Sequence, residues 1–297
     1  MDETDLELRL PAAENSAPVM VGIDGSQSSL RAAVWATDEA IARDTSLRLV
    51  HVVSPGGSEH LDTAMADAHR ALHRAWEIVV DTGKPVKLES EILEGEPVEE
   101  LVEASRRAVL LCVGHKGAKD SGALKRGATA RAVARRAHCS TAVVRRRGPA
   151  RRPRSHRWIV AILDESPDSH GVLETAVVEA LRHEAPIFAL TSWSTTMASA
   201  KGERISDKAL RANVEGRLER ARRDPTAVQM CALPMPHHLL HVLKQAAHVD
   251  QMVIVADSQQ HAIEELMSDR AHAALRKSSC SLLILRSPAS SVGSATA

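Results

Sequence analysis

The 297-residue chain has no tyrosine and one phenylalanine, and aromatics amount to 2% of it. Its cores must therefore be aliphatic, built from Val, Leu, Ile and Ala. Stacking of successive bases on aromatic side chains is not open to it, which argues against a single-strand nucleic-acid binder. Neither sign of charge predominates: 38 Lys and Arg balance 38 Asp and Glu. A net charge of zero argues against a general polyanion binder. No apolar run reaches the ~18 residues of a membrane-spanning helix. The opening MDETDLELRLPAAENSAP is acidic and lacks the apolar centre of a signal peptide. Cysteine is sparse. Cys112, Cys139, Cys231 and Cys280 form no C-x-x-C pair, and each lies in or beside an apolar run. Reduced, buried thiols in a cytoplasmic protein are the expectation.

What is present centres on Leu111–Arg145, LCVGHKGAKDSGALKRGATARAVARRAHCSTAVVR. An apolar run over 108–113 is short enough for a buried strand. Gly114, Gly117 and Gly127 follow in the spacing G-x2-G-x9-G. A helix-like Ala/Arg segment, 128–137, and a second apolar strand, 141–144, complete the unit. Strand, glycine-rich loop, helix and strand is the layout of a phosphate site. Glycine lets backbone approach an anion closely. The helix start after Gly127 offers unpaired N–H groups at the positive end of a dipole. A bulky side chain at Gly127 is expected to block that approach. The spacing is neither the P-loop, which ends Gly-Lys-Ser/Thr, nor G-x-G-x-x-G.

The loop resembles the nucleotide loop of the universal stress protein family, G-x2-G-x9-G-[ST]. The segment Val19–Ser26, VMVGIDGS, is similar to that family's first strand and Asp-Gly-Ser turn. The strand LVHV at 49–52 and the turn Gly95-Glu-Pro97 match as well. The resemblance covers nearly the whole chain, twice. It implies an α/β, doubly wound fold: two five-stranded parallel sheets of order 3-2-1-4-5, a pseudo-two-fold tandem paired through its last strands. It implies ATP or a related adenine nucleotide as ligand. Asp24 is then placed at the adenosine, Val52 at the adenine, and Gly114, Gly117 and Gly127 at ribose and phosphates, with Ala128 and Thr129 opening the helix beyond. The residues themselves leave Asp24 a second role, an Asx-type turn that caps the following helix. Where the family pattern has Ser or Thr, this chain has Ala128. One hydroxyl–phosphate bond, worth about 0.5–1.5 kcal/mol, is thereby missing. Thr129 offers a hydroxyl one position on, and Lys116, Lys125 and Arg126 offer charge.

Strand and helix patterns alternate along the chain. A strand over 19–23 precedes a helix capped by Ser26 and running to about Arg43; then come strand 47–53, helix 60–81, strand 86–92 and a helix headed by Pro97. The pattern then repeats. Arg157–Asp164, RWIVAILD, restates the opening strand, and the span from Asp24 to Arg145 is 121 residues against 122 from Asp164 to Arg286. The repeat predicts helices at 171–184 and 204–223, one headed by Pro236, and strands at 187–193, 228–233, 251–257 and 281–286. Its loop chemistry is gone. Ala256, Gln259 and Ser268 stand for Gly114, Gly117 and Gly127, and Glu264, Glu265 and Asp269 add charge that would repel a triphosphate. The expected organisation is a disordered acidic tail over 1–18, a nucleotide-binding domain over 19–147, an Arg/Pro linker over 148–156, a degenerate domain over 157–287 and a disordered tail over 288–297. Seven arginines fall among the 13 residues Arg145–Arg157. A solvated linker accounts for them, with an acidic partner as the alternative.

No catalytic constellation and no metal set is expected. His69/His73 and His237/His241 have helical spacing but neither an H-E-x-x-H glutamate nor a third ligand. The expectation is a cytoplasmic, stress-linked regulatory protein that binds nucleotide through its first half, with no membrane association and with homo-oligomers or a protein partner open to it. A nucleotide-free interaction scaffold is the alternative. A slow ATPase or phosphotransferase has no general base in its favour.

Overall fold

The computed structural model describes residues 17–54, 58–117, 127–145, 157–191, four positions between 212 and 219, 228–234, 239–246, 249–275 and 278–286. The tails before 17 and after 286, the 148–156 linker, most of the 204–223 helix, Lys125, Arg126 and His237 lie outside the described residues.

The first half runs β1 (Val19–Gly22), α1 (Gln27–Ala42), β2 (Leu47–Val53), α2 (Ser58–Val80), β3 (Leu88–Glu94), α3 (Pro97–Ala104), β4 (Leu110–Gly114), α4 (Ala128–Arg136) and β5 (Ser140–Val144). The second half runs β6 (Arg157–Leu163), α5 (Ser169–His183), β7 (Ile187–Thr191), β8 (Met230–Pro234), α6 (Leu239–Gln245), β9 (Asp250–Ala256), α7 (Gln260–Met267), α8 (Asp269–Ala274) and β10 (Ser279–Leu285). Local chemistry sets several of these boundaries. Ser26 stands in extended backbone and its hydroxyl accepts the Ser29 N–H, a cap that starts α1. Pro97 begins α3, where a missing N–H costs nothing. Alternation alone placed the third strand at 86–92. It lies at 88–94 because it pairs with β2 along its whole length, from Leu47↔Leu88 to Val53↔Glu94.

The ten strands form one sheet in the order β3-β2-β1-β4-β5-β10-β9-β6-β7-β8. From each outer edge inward, each half reads 3-2-1-4-5. Every pairing within a half is parallel. Among the described residues the single antiparallel pairing is the seam, where Thr141, Ala142 and Val143 of β5 face Ile284, Leu283 and Leu282 of β10. The two expected sheets are thus the pseudo-two-fold halves of one continuous sheet, joined through their last strands. Two reciprocal bonds flank the seam: the Arg145 N–H donates to Ser281 Oγ at 3.3 Å and the Arg286 N–H to Ser140 Oγ at 3.2 Å. The apolar cores, one on each face, both run through both halves. One joins Leu30, Trp35 and Leu49 with Leu163, Leu173 and Ile254; the other joins Leu111 and Val133 with Val253, Leu266 and Leu282.

The first of these faces also carries a buried ionic cluster. Glu39 on α1 and Glu179 on α5 each have a 1% exposed side chain, and Arg182 bridges them, at 3.3 Å from Glu39 and 2.7 Å from Glu179. Arg43 also pairs with Glu39, and His183 lies 3.4 Å from Glu179. Glu39, Glu179 and His183 bring potential ligand atoms within 4.8 Å of one another, but guanidinium groups already hold both carboxylates. Burial, then the Glu179 carboxylate, push the Glu39 pKa up. Burial acts the same way on Glu179, but His183 and Arg182 outweigh it and bring that pKa down. Arg182→Ala should therefore destabilise the protein by about 3–5 kcal/mol at neutral pH, since it leaves two buried carboxylates facing each other. A group whose folded pKa is raised penalises folding when ionised, and the penalty fades as pH falls toward the unfolded value. Urea denaturation of wild type and variant at pH 7 and pH 5 should show the gap narrowing at the lower pH; a pH-independent gap would contradict this account.

Candidate functional site

At the carboxyl ends of β1, β2 and β4 the first half opens into a crevice of about 510 Å³, within the roughly 300–1,000 Å³ of small-molecule sites. The strand order reverses between β1 and β4, which is where doubly wound sheets hold ligands. Asp24, Val52, Gly114, Gly117, Gly127 and Thr129 all line it. Ala128, expected among them, is exposed and is not in the lining. Sequence reasoning missed His51, Asp67, Pro97, Leu101 and Val113, which also line the space. His51 and Pro97 fall within the strand and turn that carry the family resemblance, but were assigned no place at a site; Asp67, Leu101 and Val113 show only an ordinary strand or helix pattern. Lys116, read as a source of charge, lines the crevice too.

Asp24 closes a turn and also faces the crevice. Its Oδ1 accepts the Ser26 N–H at 3.0 Å, closing the Asx-type turn, and the residue is exposed at the crevice. The Ser26 hydroxyl accepts the Ser29 N–H and reaches the Lys116 carbonyl at 3.3 Å, which ties the α1 start to the glycine loop.

The glycines have packing reasons of their own. A Cβ on Gly114 would sit 2.6 Å from the Ser28 carbonyl carbon, so the α1 start can approach β4 only over glycine. Gly127 caps α4 in left-handed backbone, φ 68°. A Cβ there would meet the His115 carbonyl oxygen at 2.8 Å. A side chain at Gly127, expected to block a phosphate, would also strain the loop backbone. The capped helix still points its nine-residue dipole at the crevice. Behind the loop lies His115. Its Nδ1 is 3.0 Å from Ser28 Oγ, and its ring centroid is 5.3 Å from that of His272 on α8. Burial first, then the charges of Arg145 and His272, push its pKa down to about 3.

The second half closes the equivalent place with its own side chains. Gln259, the counterpart of Gly117, is 7% exposed. Its amide accepts the Ala256 N–H at 3.0 Å and donates to the Ile162 carbonyl at 3.1 Å. Asp164 accepts the Ser166 N–H and both the Ser166 and Ser169 hydroxyls. Burial would raise its pKa, but these donors outweigh it and hold the carboxylate below its usual range. Ser268, the counterpart of Gly127, caps α8 by accepting the Ala271 N–H. The acidic residues read as repelling a phosphate behave differently. Asp269 pairs with Arg131 at 3.1 Å and Glu264 with Arg135 at 3.8 Å, so these two neutralise α4 across the seam.

Comparison with known proteins agrees with this geometry. The family model described as universal stress protein family matches residues 16–145. The universal stress protein Rv2624c of Mycobacterium tuberculosis is 34% identical over 275 residues, covering 90% of this chain and 96% of its own. Universal stress protein Rv2028c of the same organism is 33% identical over 274 residues, covering 90% and 95%. Among solved structures, a universal stress protein from Archaeoglobus fulgidus superposes with a TM-score of 0.64 at 12% identity, covering 92% of this chain and 97% of that one, a likeness of fold.

The loop geometry generates a direct test. Gly127→Ala places a Cβ in left-handed backbone and should cost about 1–3 kcal/mol, whereas Gly171→Ala, on an open stretch of α5 with nothing within 4 Å of the added atom, should not destabilise. Thermal unfolding of the two variants beside wild type reads the difference directly.

Proposed function

Because the chain belongs to the universal stress protein family, we propose that it is a stress-response regulatory protein whose first half binds ATP or a related adenine nucleotide, and whose second half has given up that site. The observation that carries the reading is the contrast between two equivalent places. In the first half an open crevice meets a glycine loop and a helix start, with Asp24 and Val52 on the same wall. In the second, Gln259 occupies the loop and Asp164 is saturated by serine donors. The crevice has the parts a nucleotide needs: apolar Val50, Val52, Leu101 and Val113 for a base, a carboxylate for sugar hydroxyls, and a helix start with Lys116 for phosphates. A carboxylate beside a phosphate is unfavourable, so Asp24 belongs with the sugar.

The proposed domain organisation follows: a nucleotide-binding unit over 19–147 and a degenerate one over 157–287, sharing a single sheet. A regulatory role is the reading we take for the first unit, rather than turnover.

Titration calorimetry of the full chain with ATP should give about one site. Asp24→Asn should weaken binding, while Asp164→Asn should leave it unchanged. Saturating ATP should raise the melting temperature, because a ligand of the native state stabilises it. Absence of both heat and melting shift would favour a nucleotide-free scaffold; two equal sites would show that Gln259 does not close the second crevice.

A further inference from the structure

One difference between the halves is not explained by the glycines. Gly114 and Val144 are partners on adjacent strands, and the next residues are His115 and Arg145. In the second half Ala256 and Leu285 are partners, and the next residues are Asp257 and Arg286. The backbones match: the His115 N–H donates to the Val144 carbonyl and the Asp257 N–H to the Leu285 carbonyl. Asp257 Oδ2 lies 3.6 Å from Arg286 Nε, so the second half neutralises its arginine on the spot. The first half puts a histidine in that place.

Arg145 is the more deeply buried of the two arginines, at 7% exposure, and its Nε has no hydrogen-bond partner. Among the described residues no carboxylate pairs with it. His115 cannot serve as counter-charge, because it stays neutral or becomes a second cation. The other groups around His115 are Arg31, His272 and the Ser28 hydroxyl; besides His115, the titratable group acting on Arg145 is the Cys280 thiol, which burial keeps protonated. The arginine does not line the crevice. It stands behind the loop whose next residues, Lys116 and Gly117, do. A buried charge is screened less than an exposed one, so its field reaches groups that it does not touch.

We propose that His115 is a specificity-determining residue: by withholding a carboxylate from Arg145 it leaves an uncompensated positive charge behind the glycine loop, so that the crevice selects phosphorylated nucleosides over the bare nucleoside. The inference rests on the adenine-nucleotide reading of this crevice and adds what sets its preference among adenine ligands. The second half supplies the comparison, since an aspartate one strand away is enough to cancel the same arginine.

The test is calorimetry of the full chain with ATP, AMP and adenosine. His115→Asp should reproduce the Asp257–Arg286 pair, while its carboxylate can still accept from Ser28. Its ATP affinity should fall about tenfold or more, AMP affinity less, and adenosine affinity about twofold at most, as a charge effect requires. The neutral variant His115→Asn should bind ATP like wild type. Arg145→Met should repeat the His115→Asp pattern, and it carries the test if the aspartate variant melts early. Equal ATP affinity in wild type, His115→Asp and Arg145→Met would overturn the proposal, as would a wild type that binds adenosine as tightly as ATP; both leave the nucleotide reading standing. A wild type that binds none of the three probes overturns both.

Discussion

Strands β5 and β10 would each be a sheet edge if its half stood alone, and an apolar edge is a template for uncontrolled pairing. Here each edge is satisfied by the other. The three antiparallel pairs from Thr141↔Ile284 to Val143↔Leu282 convert two five-stranded sheets into one. The seam then dictates the rest. It makes both apolar cores continuous across the halves. It brings α4 against α7 and α8, where Arg131 and Arg135 find Asp269 and Glu264. Because the strands run in opposite directions across it, the two crevice positions fall at opposite rims of the sheet. The helix that descends from the closed rim, α8, ends beside the open one, which is how His272 reaches His115.

One strand order therefore carries two different chemistries. Each rim has a strand ending in an aspartate turn, a loop after the neighbouring strand and a capped helix. At one rim the loop is glycine and the space is open. At the other, one glutamine bonds to the backbone at Ala256 and Ile162, much as a ligand might, and one aspartate neutralises the arginine behind it. At the second rim Gln259 fills, and Asp257 neutralises, what stands open among the described residues of the first.

Most of this architecture could be read from residues alone. The alternation of strand and helix patterns and the near-equal spans of the repeat gave two parallel, doubly wound halves, and the resemblance carried by the glycine loop and the Asp-Gly-Ser turn gave the strand order of each. The glycine spacing and Asp24 gave the right wall of the crevice, because loop chemistry at strand ends is local. What escaped was non-local. His51, Asp67 and Leu101 reach the crevice only through the tertiary fold, and their sequence neighbourhoods look like any amphipathic element. The acidic residues of α7 and α8 were assigned to the wrong neighbour, since sequence position cannot show that Asp269 faces Arg131 across the seam. Gly127 was assigned the right place and an incomplete reason, as its left-handed φ and its contact with His115 follow from backbone geometry.

The pairing of Glu39 with Glu179 has a further consequence. Glu39 lies 15 residues after Asp24 and Glu179 lies 15 after Asp164, so this is one position meeting its own counterpart across the pseudo-two-fold. In an assembly of two identical chains every replacement arrives on both sides at once, and a contact near the axis can change only in self-complementary ways. The arginine that resolves this carboxylate pair, Arg182, has Ala42 as its counterpart. Arg182 reaches both acids from one side, while Arg43 beside Glu39 has His183 beside Glu179 as its counterpart, so the two sides of the cluster have diverged. Joining the copies in one chain removed the obligation to mutate in duplicate, and that freedom extends from this contact to the two rims.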